Sequence, residues 1–151
     1  MEPSTMKLSA ELSDQTAEHQ PSTQPVMLIY YAAAVFFNLC LTAQVLTVGL
    51  AYFYNPTWWN LHVWLVRGYG GLSLLLLGGA WYLPVPQRIN SLTTGLPVLI
   101  GLQFLTIHIQ MPLSVSIPLA VLHPLIGFSL FSASTTLVHR MRHVVWPQTA
   151  T

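Results

Sequence analysis

Apolar and polar positions alternate along this chain in long blocks. After a polar opening come four apolar runs, at residues 26–54, 59–83, 92–111 and 117–138. Each is about 20 residues or longer, the length a helix needs to cross a hydrocarbon core of about 30 Å. Turn-forming sequences separate them: Asn55-Pro56-Thr57, Pro84-Val85-Pro86-Gln87-Arg88 and Pro112-Leu113-Ser114. A membrane barrel would instead show alternating segments of about ten residues, and none is present. The pattern predicts an all-α integral membrane protein. Connections this short predict an up-down-up-down four-helix transmembrane bundle.

Composition supports the same class. Only 6% of the 151 residues are charged and 53% are hydrophobic, with a mean hydropathy of +0.56. Soluble domains carry roughly a quarter charged residues, so this chain has too few to cover a water-facing surface. Residues 1–25 lack apolar periodicity and read as a disordered polar tail. Residues 26–140 form the transmembrane domain, and residues 141–151 a short C-terminal tail. The long polar lead and the length of the first run predict a retained span rather than a cleaved signal. A net charge of +1 argues against nucleic-acid binding. Cys40 is alone and apolar in context, so it reads as a packing residue.

Charge also sets an expected orientation. Lys7, Arg88, Arg140 and Arg142 fall on the side holding both termini and the second loop, while the first and third loops carry no Lys or Arg. The positive-inside rule places both termini in the cytoplasm. Tyr30, Tyr31, Trp81 and Tyr82 then mark the inner interface, and Tyr52, Tyr54, Trp58 and Trp59 the outer one.

Few polar residues interrupt the spans. His62, His108 and His123 all map to the outer half, whereas His19, His139 and His143 lie in or beside the tails. The second and fourth helices stand diagonally in such a bundle and run in the same direction. With neighbouring axes 8–10 Å apart, the diagonal is roughly 12–14 Å. Two imidazoles can reach one metal across that gap if a planar macrocycle fills it, so His62 and His123 are candidate axial ligands of haem b. Gly127, one turn beyond His123, leaves room for a flat ring. Pro124 predicts a bend beside that histidine, and Tyr69 and Ser73 share the His62 face. The alternative for both histidines is a hydrogen bond between helices.

Arg67 lies inside the second run, and no acidic residue follows Glu18. An intramembrane cation marks a candidate functional site. Its side chain leans toward the outer end of its helix, where a haem propionate would supply the missing anion. The alternative is that it snorkels to water. His108 is open to three roles: substitute ligand, proton relay or packing residue. Gln103, Thr106 and Gln110, with Gln44, form a polar stripe that joins helices or serves a quinone or proton path. The glycines at 68, 70, 71, 78 and 79 read as allowing close helix packing rather than phosphate binding.

The His62 opening of the second helix and the Leu122-His123-Pro124-Leu125-Ile126-Gly127 opening of the fourth resemble an uncharacterised prokaryotic family of four-helix membrane proteins, similar in plan to small di-histidine b-type cytochromes. The resemblance implies His62 and His123 as ligands, followed by Arg67 and Gly68. It also implies a prokaryotic cytoplasmic or internal membrane. The function expected is haem b binding for electron transfer or for anchoring an oxidoreductase, with the bilayer and a redox partner as surroundings. The alternative is a non-catalytic accessory or assembly subunit of a larger membrane complex, without cofactor.

Overall fold

The computed structural model describes residues 23–108 and 119–147. Four helices account for nearly all of them: α1 (Thr23–Phe53), α2 (Trp58–Tyr82), α3 (Gln87–His108) and α4 (His123–Val145), the last preceded by a 3-10 turn at Leu119–Leu122. All four are long and apolar enough to cross a membrane. The chain is therefore an all-helical, multi-pass membrane protein. The expected polar tail through residue 22, the third loop and Gln110 lie outside the described residues.

Local chemistry fixes the ends. After α1, Asn55 Oδ1 accepts from the Thr57 backbone N–H at 2.9 Å, an Asx turn that reverses the chain. Helix α3 starts at Gln87, five residues before the apolar run begins. The reason is Pro86, whose carbonyl accepts from the N–H groups of Ile89 and Asn90, so the proline sets a helix start. The polar first turn is still helical, and its Ile89 is buried. Helix α4 extends beyond the apolar run to Val145, with Arg142 and His143 in its last turn, where cations complement the negative end of the helix dipole. Pro124 falls at a change of helix type rather than inside an α-helix. A 3-10 turn stops at Leu122, and α4 begins with Pro124 in its first turn. There its missing N–H has no intrahelical partner to lose.

The helices form a ring in which α1 packs on α2 and α4, and α3 packs on α2 and α4, with no direct backbone approach across either diagonal. Inward positions recur every three or four residues: Tyr69, Ser73, Leu76 and Ala80 on α2, and Ile126, Leu130, Ser134, Leu137 and Met141 on α4. This is the spacing that seats one helix's ridges in its neighbour's grooves. Among the described residues, one side-chain hydrogen bond crosses a diagonal. Tyr30 of α1 reaches Thr93 of α3, with the two hydroxyl oxygens 2.8 Å apart. Large apolar side chains such as Ile29, Leu75 and Phe128 point outward, as a lipid-facing surface requires.

The glycine reading needs a correction. A Cβ added at Gly68, Gly70, Gly71 or Gly78 would meet nothing within 4 Å; only at Gly79 would it press on a neighbour, the Tyr30 ring at 3.1 Å. Close packing explains Gly79. The others face open space.

Candidate functional site: a polar layer around two histidines

All four helices contribute polar side chains to one layer of the bundle. Helix α1 supplies Gln44 and Thr47, and α3 supplies Gln103 and Thr106, all four buried. Helices α2 and α4 supply His62 and His123, both half-buried. The two halves are built alike. In α1, Thr47 Oγ1 donates to the Gln44 carbonyl at 2.8 Å; in α3, Thr106 Oγ1 donates to the Gln103 carbonyl at 2.8 Å. Each pair then holds the histidine of the next helix by its Nδ1. His62 Nδ1 stands 3.4 Å from Thr47 Oγ1, and His123 Nδ1 stands 3.4 Å from the Gln103 carbonyl. Gln103 Nε2 also donates to the His123 carbonyl at 3.4 Å.

These contacts are long, but they agree on the tautomer. A carbonyl only accepts, so His123 Nδ1 carries the proton. The Thr47 hydroxyl has already spent its proton on Gln44, so it too accepts, and His62 Nδ1 carries the proton. In a neutral imidazole the other nitrogen then holds the lone pair. Both histidines therefore present a free Nε2, the state of a metal-ligating histidine whose other nitrogen is fixed by an outer hydrogen bond. Gln44 Oε1 is buried without a partner among the described residues, an open acceptor in the same layer.

Two histidines are the protein donors that a bis-histidine haem takes. The space beside Gly127 is tight: a Cβ there would lie 2.8 Å from Gln103 Nε2. The space beside Gly127 is thus filled by the flexible end of Gln103, which must turn aside for a ring to lie there. Among the described residues no group of three or more His, Cys, Asp or Glu gathers to hold a metal ion, so any metal here rests on the two histidines alone. Tyr69 lies two turns beyond His62 on the same face, buried edge-on against Phe37 with ring centroids 5.7 Å apart. It floors the layer.

Two candidates do not join the layer. Arg67 is five residues from His62, about 140° around the helix. It is exposed on the outer surface, with its guanidinium 5.5 Å from the Trp64 ring centroid. His108 is exposed at the end of α3, its Nδ1 donating to the Phe104 carbonyl of its own helix at 2.8 Å. Thr47 is the member that the expected polar stripe lacked. Its signal is a repeat in the sequence: Gln44-Val45-Leu46-Thr47 precedes Leu61-His62, as Gln103-Phe104-Leu105-Thr106 precedes Leu122-His123.

Fold and layer together define a multi-pass helical membrane protein with two half-buried histidines in one polar layer. Residues 44–109, just under half of the chain, match a family of unknown function, DUF6220. The matched stretch includes both Gln-x-Leu-Thr segments and His62, and stops short of His123. No curated protein and no solved structure matches the chain.

Proposed function

We propose that this chain is a small membrane haem b protein, with His62 and His123 as axial ligands, that transfers electrons or anchors an oxidoreductase. One observation carries the reading: each half of the bundle sets a histidine Nδ1 3.4 Å from a polar atom of the neighbouring helix, in one layer and in the same way. A haem held there supplies a one-electron couple. Thr47 and the Gln103 carbonyl fix ring orientation and raise the basicity of each ligand. Gln103 moves off Gly127 to admit the ring, and Tyr69 with Phe37 excludes water from below.

In this reading the helices run up-down-up-down. Thr47, late in α1, meets His62, early in α2; Gln103, late in α3, meets His123 at the start of α4. The Arg88, Arg140 and Arg142 end faces the cytoplasm, as the positive-inside rule asks. The test is the absorption spectrum of detergent-purified protein expressed with sufficient haem. Soret and α bands that disappear in His62→Ala and His123→Ala are expected. A colourless protein that co-purifies with a larger membrane complex would favour the accessory-subunit reading.

A further inference from the structure

We propose that His139 and His143 form a binding site for a divalent transition-metal ion at the end of α4, separate from the histidine layer. The two residues stand four apart on one helix, where side chains are neighbours, and histidines at this spacing on a helix face are a known pair of zinc ligands. Their rings meet edge to face with centroids 4.7 Å apart. Both residues are exposed, and both follow the apolar run that ends at Val138. The pair is therefore open to ions from the water at the membrane surface. His139 lies 16 residues beyond His123 in α4, about 24 Å at 1.5 Å per residue.

The contacts of the other histidines set this pair apart. His62, His108 and His123 each place Nδ1 against a polar atom of the protein. Among the described residues His139 and His143 have only each other, so a nitrogen lone pair on each neutral ring is free to coordinate. The surroundings select the metal. No Asp or Glu follows Glu18, and Arg140 and Arg142 flank the pair in sequence. Hard, oxygen-seeking ions such as Mg²⁺ and Ca²⁺ thus meet two positive charges and no carboxylate among the described residues. An ion that binds must be held by its bonds to imidazole, which suits Cu²⁺, Ni²⁺ and Zn²⁺, with Cu²⁺ the tightest. His143 lies in the last turn of α4, where the negative end of the helix dipole favours a cation. Two histidines leave the remaining coordination positions to water.

The test is a Cu²⁺ titration of the full chain, purified in detergent without an affinity tag and followed by electron paramagnetic resonance. Wild type should show a saturable Cu²⁺ site whose spectrum carries the splitting of two imidazole nitrogens. Zn²⁺ should displace the copper only at higher concentration, and Mg²⁺ should not displace it. His139→Ala and His143→Ala should each lose the site. Both positions are exposed, so neither change disturbs packing. A third variant, His143→Ala combined with Arg140→His, keeps the number of histidines and removes a repelling charge. Its new histidine stands about 100° around the helix from His139, so it too should lose the site. A wild type without a saturable two-nitrogen signal would overturn the proposal. So would a titration unchanged by His139→Ala or by His143→Ala, a site retained by the third variant, or displacement by Mg²⁺.

Discussion

Gly78 and Gly79 are adjacent in α2 yet should respond to alanine in opposite directions. Either replacement gains about 1 kcal/mol in intrinsic helix preference. At Gly78 nothing opposes the gain, because an added Cβ meets no atom within 4 Å. At Gly79 the same Cβ lies 3.1 Å from both Cδ2 and Cε2 of Tyr30. That ring cannot swing away freely: Tyr30 is 5% exposed, and its hydroxyl is tied to Thr93 at 2.8 Å. Overpacking of this kind costs about 1–3 kcal/mol. Loss of the interhelical hydrogen bond adds about 0.6–1.7 kcal/mol. Against the propensity gain, Gly79→Ala should come out destabilised by roughly 1–3 kcal/mol, and Gly78→Ala stabilised by up to about 1 kcal/mol. Reversible unfolding in mixed micelles of rising dodecyl sulfate content measures both. If Gly79→Ala is stabilised to the same degree as Gly78→Ala, the close approach of α2 to Tyr30 is wrong. Pairing Gly79→Ala with Tyr30→Leu should recover part of the loss.

Three further outcomes follow from the contacts. Thr47→Val removes the acceptor for His62 Nδ1 and should weaken haem affinity about 10–100-fold, the usual effect of losing an outer-shell partner, as read by haem titration against wild type. Asn38→Leu removes donors to Ser134 Oγ at 3.2 Å and Thr135 Oγ1 at 3.1 Å, and should cost about 1 kcal/mol in the same micelle unfolding assay. Arg67→Leu should leave haem loading at the wild-type level, because Arg67 stands on a different helix face from His62. Its thermal stability in detergent should hold or rise as an intramembrane charge is removed.

The four spans were legible because bilayer thickness fixes their length, and length survives in the sequence as unbroken apolar runs. The helix ends were less so. Ile89 falls outside the third apolar run because Arg88, Asn90 and Ser91 surround it, yet Pro86 starts the helix ahead of it. Which face turns inward was harder still. In a soluble protein the greasy face points in, but here Leu75 and Phe128 face lipid while Thr93 and Ser134 are wholly buried. Large apolar residues therefore stand on both faces, Leu76 and Leu130 inward as well as Leu75 and Phe128 outward, and hydropathy alone does not mark the inward face. His62 and His123 stood out as rare polar residues at matched positions, and both lie in the polar layer. The assignment of Arg67 to that layer relied on side-chain lean along the helix and neglected the angle around it. Thr47 was overlooked because a threonine in an apolar run carries no charge; only the repeated Gln-x-Leu-Thr spacing ahead of each Leu-His gives it away.

The central claim is that His62 and His123 ligate one iron together, and titrating haem into the haem-free protein tests it most directly. Wild type should saturate at one haem per chain, with the spectrum of a six-coordinate low-spin bis-imidazole iron. His62→Ala and His123→Ala should each give a weaker complex lacking that low-spin spectrum, and the double variant should show no saturable binding. A wild-type protein that takes up no haem, or single variants indistinguishable from wild type, would contradict the account.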